Sequence, residues 1–142
     1  MADLAQQFGA QMRFHSSIPR KLNEFAILIT ARFWTSQYEW YSHHRDALKY
    51  GLNPVLIDSL ATGKRPSPMD HDEEIIYNFC SELLKNKQVS DATFKTTVDK
   101  FGEQGVVDLI GVTGYYQMVS MLLNVDRYPL PDGTKPELKP LP

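Results

Sequence analysis

The sequence predicts an all-α fold, a single-domain bundle of six to seven helices. Three observations support this prediction. Apolar residues recur at helical spacing in one segment after another. The segments end at glycines, prolines and capping residues, and none shows the strict alternation of a half-buried strand. A chain of 142 residues, with 42% hydrophobic and 23% charged residues, suits one globular domain with one core.

The first two predicted helices are separated by the break "SSIPRK". The first helix is amphipathic, and its apolar residues at helical spacing are Leu4, Ala5, Phe8 and Met12. Pro19 suits the first turn of the second helix, where its missing N–H is not needed. The second segment, "RKLNEFAILITARFW", is apolar on nearly every side, with Glu24 and Arg32 as the exceptions. It is therefore expected to be a central, buried helix.

Three further helices follow, each bounded by turn or capping residues. The stretch "SQYEWYSHH" begins the third helix, which runs to about Tyr50 and stops at Gly51. "NPVLIDSLATG" is a short helix that Asn-Pro opens and Gly63 closes. "KRPSPMDHD" is expected to be a loop of turn formers and charges, and a helix from about Asp72 to Asn86 follows it.

The last helical region contains several glycines. Ser90 is expected to cap a helix that Gly102 ends. The final segment, "GVVDLIGVTGYYQMVSMLLNV", is long and apolar, with Gly111 and Gly114 inside it. Because an interior glycine costs about 1 kcal/mol against alanine, close backbone packing is expected at both. The polar residues of this segment are Asp108, Gln117 and Asn124. They favour a core or interface helix over a membrane span.

The C-terminal residues form a separate unit. The run "RYPLPDGTKPELKPLP" carries five prolines in 16 residues, which excludes a helix. It is expected to be an extended strap or a frayed end. The predicted organisation is a helical domain over residues 1–128 and a proline-rich tail over residues 129–142.

Charge, hydropathy and cysteine content exclude several functions. The formal net charge is -2 without a basic cluster, so nucleic acid is not an expected partner. No uninterrupted apolar run approaches the roughly 20 residues that span a bilayer, and no membrane association is expected. The N-terminus lacks the regions of a signal peptide, so a cytoplasmic location is the default. Cys80 is the only cysteine, which excludes a Cys-x-x-Cys pair, and its apolar helix face indicates a small buried hydrophobe.

Three polar residues at the start of the third helix share one face. At ~100° per residue, Glu39 lies about 60° and His43 about 20° from Ser36. One interpretation is a capping box made by Ser36 and Glu39, with Thr35 as an equally good N-cap. The other is catalytic, because Glu39 and His43 at i and i+4 would bond directly and make the imidazole a general acid or base.

The surroundings of this face allow an anionic substrate but give little support to a metal. The helix N-terminus supplies free N–H groups suited to an anion, and Trp34 and Tyr38 would wall an apolar pocket. A metal held by His43, Glu39 and Glu24 would lack H-E-x-x-H or any comparable spacing. No metal and no cofactor are therefore expected.

Residues 23–52, "NEFAILITARFWTSQYEWYSHHRDALKYGL", resemble the core motif of the carboxymuconolactone decarboxylase family, in the alkylhydroperoxidase D-like superfamily. Peroxidase members carry a glutamate, eleven residues, Cys-x-x-Cys, three residues and a histidine. The same spacing here places the glutamate at Glu24 and the histidine at His43, while Ser36 and Glu39 stand at the cysteine positions. "E-x-A-I-L-x-x-A-R" and "GYYQMVSMLLNV" are also similar to the family. The resemblance implies an alkylhydroperoxidase D-like helical fold.

The two missing cysteines decide which branch of the family the resemblance implies. Thiol–disulfide chemistry cannot run, because the thiolate is its nucleophile. The resemblance then implies a cofactor-independent lyase acting on a small carboxylated lactone-like substrate in aromatic catabolism. His43, tuned by Glu39, would donate a proton. Ser36 would help to hold an anionic group, and Glu24 would orient the site.

Further expectations concern substrate binding and assembly. Arg32 would either hold a substrate carboxylate or form a structural ion pair with Glu24 or Glu39. Tyr115, with Tyr116 beside it, would either reach the pocket or only pack. The resemblance also implies a homo-oligomer, a trimer or hexamer, for which the apolar last helix suits an interface. The resemblance further implies sequence ahead of the point where this chain begins, so an N-terminal helix is expected to be missing from it, and the enzyme would be incomplete if that helix covers the pocket.

Two alternative functions remain open. The first is a non-catalytic oligomeric binding protein on the same scaffold, with a closed pocket and with Ser36 and Glu39 serving only as a cap. The second is a hydroperoxidase-type antioxidant activity. It would depend on Cys80 without a resolving partner and is disfavoured by the missing cysteine pair.

Overall fold

The computed structural model describes residues 1–141, and every regular element within them is an α-helix. The helices in chain order are α1 (Ala2–Phe14), α2 (Arg20–Trp34), α3 (Gln37–Lys49), α4 (Pro54–Ala61), α5 (His71–Asn86) and α6 (Asp91–Asp126). The prediction of an all-α bundle is confirmed for the described residues, with six helices. The finer alkylhydroperoxidase D-like architecture stays a prediction.

The second helix, α2, is the centre of the bundle. It packs against all five other helices, and every residue from Leu22 to Arg32 is buried. Its apolar side chains form one core with residues such as Trp40 and Phe79 of the surrounding helices. Burial of each large apolar side chain contributes about 1.5–3 kcal/mol. The predicted central helix is thus confirmed, and it places Glu24 deep in the protein.

A sharp joint between α2 and α3 turns the chain back on itself. Thr35, the C-cap of α2, has φ 48° and ψ 44°, a left-handed conformation that β-branched residues rarely adopt. The backbone N–H of Ser36 donates to the carbonyl of Ala31 at 2.9 Å, and α3 begins one residue later. Thr35 therefore ends α2, and the prediction of Thr35 as an N-cap is wrong. The joint lays α3 on α2 so that His43 meets Glu24.

Glycines in α6 have two different roles. Gly102 has φ 72° and ψ 176° and kinks the helix, which confirms that a helical segment ends there. A Cβ on Gly111 would come within 2.4 Å of Met12 Sδ on α1, so the predicted close packing is confirmed at Gly111. At Gly114 the prediction is wrong, because apart from its chain neighbours and the adjacent backbone of α6 no described atom lies within 4 Å of a Cβ built there.

These backbone differences predict opposite effects of alanine on stability. Gly102→Ala forces alanine into a conformation nearly restricted to glycine, and we expect the free energy of unfolding to fall by about 1–3 kcal/mol. Gly114→Ala places alanine in an open helical position, and we expect a rise of about 0.5–1 kcal/mol. Urea unfolding followed by circular dichroism measures both. Equal stabilities of the two variants would contradict the kink at Gly102.

One apolar face of the bundle stays exposed. Beyond the kink at Gly102, the exposed large apolar residues of α6 recur at helical spacing and are Val107, Ile110, Met118, Met121, Leu122 and Val125. On α1, Leu4 and Phe8 are exposed as well, and of the predicted apolar stripe only Met12 is fully buried. The apolar faces of α1 and α6 are therefore wider than the surface that the described bundle covers, and part of each face stays exposed.

Among the helices of residues 1–141, only α6 is long and apolar enough to cross a membrane. Within its most apolar window, 39% of the residues are buried in the bundle. One such helix is weak evidence, because a core helix of a soluble protein has the same properties. The absence of membrane association and the cytoplasmic location stay predictions.

The C-terminal tail is an extended strap that lies across the α2–α3 joint. The side chain of Gln37 donates to the carbonyl of Leu138 at 2.6 Å and accepts from its N–H at 3.1 Å. Leu138 is buried, and Glu137 Oε2 accepts from Trp40 Nε1 at 3.0 Å. His44 Nδ1 lies 2.7 Å from the same oxygen. Of the two predicted forms of the tail, the structure therefore has the strap.

Candidate active site

A buried carboxylate–histidine pair lies between α2 and α3. His43 Nδ1 is 2.6 Å from Glu24 Oε2, and the two residues are 4% and 0% exposed. Since an ionised carboxylate only accepts, this contact assigns the Nδ1 proton to His43. The other oxygen of Glu24 accepts from Arg20 Nε at 3.2 Å. Glu24 thereby fixes the ring orientation and directs Nε2 away from itself.

Glu39 faces that second ring nitrogen. Its Oε2 is 3.4 Å from His43 Nε2 and makes no hydrogen bond within residues 1–141. Burial raises the pKa of the Glu39 carboxyl, although His43 and Arg13 oppose the rise. A carboxyl that holds its proton more tightly than usual thus lies beside Nε2, where it can exchange a proton with the imidazole. Glu24 thus makes the short contact with the ring, and Glu39 faces its other nitrogen at a longer distance.

Ser36 is the N-cap of α3 but does not cap it with its side chain. Its hydroxyl is fully buried and finds no hydrogen-bond partner within the described chain. Its own N–H is already bonded to Ala31, and Glu39 is turned towards His43 instead of back to Ser36. The predicted capping box is therefore wrong. The predicted polar face of Ser36, Glu39 and His43 exists, and all three residues are buried.

Two tyrosines of α6 cover the imidazole. The ring of Tyr116 meets that of His43 edge-to-face at a centroid distance of 4.9 Å and is 5% exposed. Burial, reinforced by the Glu39 carboxylate, raises the pKa of Tyr116, so its phenol stays protonated. Tyr115 packs on Tyr116 at 5.1 Å and on Phe8 at 5.7 Å. Tyr115 therefore packs on Tyr116, which in turn contacts His43, and no aromatic contact joins Tyr115 directly to His43 within residues 1–141.

Charged groups around the pair come from residues that sequence reasoning missed. Asp46, one turn after His43, forms an ion pair with Arg13 of α1. Arg20, one turn before Glu24, pairs with it. The sequence could have indicated Asp46 and Arg20 by their spacing. Asp46 follows His43 by three residues on α3, and Arg20 precedes Glu24 by four residues on α2. Arg13 had none, because only the packing of α1 brings it here.

Glu24, His43 and Asp46 also form the one group of described residues with metal-ligand geometry, their ligand atoms all lying within 4.8 Å of one another. The metal-ligand set considered from the sequence had Glu39 in place of Asp46. Glu24 already accepts from Arg20 and from His43, and Asp46 is bound to Arg13. The donor set is thus engaged by hydrogen bonds and guanidinium cations, which suits a proton-transfer network better than a cation site.

Arg32 lies outside this cluster. It donates to the carbonyls of Ala61 and Lys139 at 3.2 and 2.8 Å and to Thr35 Oγ1 at 3.0 Å. The alternative ion pair with an acidic site residue is not found among residues 1–141. Arg32 fixes the strap to the α2–α3 joint, and it also lines a separate cavity with Leu60 and Tyr77. Carboxylate binding by Arg32 stays a prediction, in a place away from His43.

Trp34 and Tyr38 lie on the far side of the joint. Trp34 packs against Phe33, with ring centroids 6.0 Å apart. Tyr38 packs edge-to-face on Tyr128 at 4.7 Å. A cavity of about 230 Å³ next to Tyr38 is lined by Ser36 and by residues at the end of α6. Tyr38 thus walls a pocket that includes Ser36 but not His43.

A second cavity adjoins the site from the opposite side, between α1 and α6. It has a volume of about 300 Å³ and is lined by Arg13 and Tyr115, by Tyr116 and by apolar or uncharged residues of α1. Tyr116 is the side chain that this cavity shares with the histidine site. His43 and Glu39 themselves line neither of these two cavities.

Fold and site together define an all-helical protein with a buried glutamate–histidine pair and a second acid at the free ring nitrogen. Comparison of the chain with protein-family models, with curated proteins and with solved structures finds no match. The chemistry of the site therefore has to be inferred from its own residues.

Proposed function

We propose that this protein is a carboxymuconolactone decarboxylase-like lyase that acts without a cofactor on a small carboxylated lactone-like substrate, in aromatic catabolism. The observation that carries the proposal is the 2.6 Å contact of Glu24 with His43, which leaves Nε2 facing Glu39. A histidine oriented by one carboxylate and exchanging protons with another is a general acid. The resemblance of residues 23–52 to the family supports the same reaction.

The proposed reaction needs only charge stabilisation and one proton. The bond between the substrate ring and its carboxylate breaks, carbon dioxide leaves, and the electron pair passes into the conjugated lactone as a dienolate. His43 Nε2–H then protonates the dienolate carbon. Glu24 stabilises the imidazolium before transfer, and Glu39 returns a proton to Nε2 afterwards.

A test follows from the fate of that proton. We expect at least one member of a panel of unsaturated carboxylated lactones to release carbon dioxide in the presence of the protein. In deuterium oxide the product should carry one deuterium at the protonated carbon, and methyl esters of the same lactones should not react. Absence of carbon dioxide release across the panel, with binding of its members demonstrated, would contradict a lyase.

The alternative of a non-catalytic binding protein is favoured by one observation. His43 is only 4% exposed, so a substrate cannot touch Nε2 without a movement of the surrounding side chains. Against it, the capping bonds that it predicts for Ser36 and Glu39 are absent from the described residues. Binding of lactone acids without turnover would identify this alternative.

The antioxidant alternative has no support from the position of Cys80. Its thiol is fully buried and contacts Thr113 Oγ1 at 3.8 Å. Burial raises the pKa of Cys80 to about 12, so the thiolate that attacks a peroxide is not formed near neutral pH.

Self-association is part of the proposal. The exposed apolar residues of α6, from Val107 to Val125, form the kind of continuous face that obligate oligomers bury. We propose that copies of this chain pack on it as a trimer or hexamer, as the family resemblance implies. Light scattering after size-exclusion chromatography should give three or six times the 16.3 kDa chain mass. A monomer at micromolar concentration would contradict the assembly.

A further inference from the structure

The cavity between α1 and α6 has the features of an anion-binding pocket. Among the described residues that line it, Arg13 is the only charged one. The remaining walls are aromatic rings, such as Phe14 and Tyr115, and small or uncharged residues of α1, including Gln6 and Ala10. Its volume of about 300 Å³ is at the small end of ligand sites and suits a molecule with a single ring.

Arg13 is only partly satisfied by its partners in the protein. Its Nη2 binds Asp46, and its guanidinium lies 5.2 Å from the ring centroid of Phe14. Its Nε is buried and has no hydrogen-bond partner among residues 1–141. The Arg13 side chain as a whole is 31% exposed, so the accessible part of its guanidinium can offer a carboxylate the charge-assisted hydrogen bonds that such groups prefer.

The position of the pocket relates it to the histidine site in two ways. Tyr116 is the wall between them, so a ligand here lies one side chain away from His43. Asp46 joins them electrostatically, because it pairs with Arg13 and also has its carboxylate within 4.8 Å of the His43 and Glu24 ligand atoms. The pocket expected around Arg32, Trp34 and Tyr38 has neither connection.

We propose that the α1–α6 cavity is the subsite for the substrate carboxylate and that Arg13 is the residue that binds it. The ring of the ligand packs against Tyr115 and Tyr116, and its carboxylate accepts from the Arg13 guanidinium, so that a movement of the Tyr116 ring brings the ligand to His43. This assignment rests on the proposed function for the class of ligand, a small cyclic carboxylate, while the location and the anchoring residue follow from the cavity and the unsatisfied guanidinium.

The test uses the full chain, labelled with ¹⁵N in arginine, and 5-oxotetrahydrofuran-2-carboxylate as the probe. We expect the Arg13 Nε–H resonance to shift in a saturable way with the carboxylate and to stay in place with uncharged γ-butyrolactone. Arg13→Gln should weaken carboxylate binding at least tenfold. The matched control is Arg45→Gln, because Arg45 is exposed on α3 and contacts only the ring of Tyr41 in this cluster of helices.

A second variant covers the case in which loss of the Arg13–Asp46 pair unfolds the protein. Ala10→Phe fills the cavity from an exposed position of α1 and leaves the ion pair intact. It should also abolish binding while the remaining arginine resonances keep their positions. Wild-type affinity in Arg13→Gln or Ala10→Phe, or no saturable shift in the wild type, would overturn the assignment.

The two proposals can fail separately. Binding that depends on Arg13, without carbon dioxide release from any lactone acid, would retain the subsite and remove the lyase. Turnover whose KM is unchanged by Ala10→Phe would retain the lyase and remove the subsite.

Discussion

Replacement of His43 with glutamine is expected to lower kcat for the true substrate by about 10²–10⁴-fold, the usual contribution of a positioned general acid. Glutamine fills a similar space and can donate to Glu24 Oε2, but its amide cannot transfer a proton. The measurement is the rate of carbon dioxide release under saturating substrate, together with deuterium incorporation. In the wild type the rate should fall as pH rises, because the reaction needs the proton of Glu39, and burial raises the pKa of that carboxyl above its usual value.

The adjacent histidine provides the matched control. His44 lies on the same helix and contacts Glu137 of the strap, on the side away from Glu24. His44→Gln should keep kcat within about threefold, since it removes no group from the proton-transfer network. Survival of wild-type turnover in His43→Gln, or an equal loss in both variants, would refute the assigned role of His43.

Replacement of Trp40 with alanine is expected to produce the largest loss of stability, about 3–5 kcal/mol in the free energy of unfolding. Trp40 is 1% exposed in the core, and its indole N–H binds Glu137 of the strap at 3.0 Å. The variant therefore leaves a cavity and also frees the strap from α3. Guanidinium chloride unfolding, monitored by far-ultraviolet circular dichroism, measures the change.

Trp40→Phe separates the two contributions. Phenylalanine retains most of the packing but loses the bond to Glu137, so we expect a loss of only about 1–2 kcal/mol. If alanine and phenylalanine destabilise the protein equally, the hydrogen bond to the strap would dominate, and the assigned packing role of Trp40 would be wrong.

The helices could be read from the sequence because local signals determine where they begin and end. Gly51 follows α3, Gly102 kinks α6, and Ser90 accepts from the N–H of Thr93 at 3.2 Å as a side-chain cap. The uniformly apolar pattern of α2 also identified the central helix, since only full burial explains apolar residues on every side.

Capping boxes show where local signals mislead. Ser36 and Glu39 have the right spacing, yet the box forms at Asp70 and Glu73, within and just after the segment predicted as a loop. There each carboxylate accepts from the backbone N–H of the other residue, and each bond is 2.8 Å long. At Ser36 the competition is tertiary, because the Ser36 N–H already donates to the carbonyl of Ala31 and the Glu39 carboxyl faces His43.

The candidate site was predictable only in part, because here too tertiary contacts decide which partner a side chain binds. The spacing of Glu24 and His43 identified the pair, but no pattern within α3 showed which acid orients the ring. Arg32 was expected beside the pair because of its charge, whereas its partners lie elsewhere and include the backbone carbonyl of Lys139. Contacts of this kind, across 107 residues of sequence, leave no periodicity to read.

The strap has a consequence for the order in which the protein folds. Its bonds join residues 93 to 107 positions apart in the chain, such as His44 with Glu137 and Arg32 with Lys139, whereas α2 and α3 are neighbours in sequence. Closing so long a loop is entropically costly before the bundle exists, so the strap is expected to dock after the rate-limiting transition state. Glu137→Gln should therefore accelerate unfolding and leave the folding rate nearly unchanged. The strap would then act on the lifetime of the native state and not on the speed of its formation.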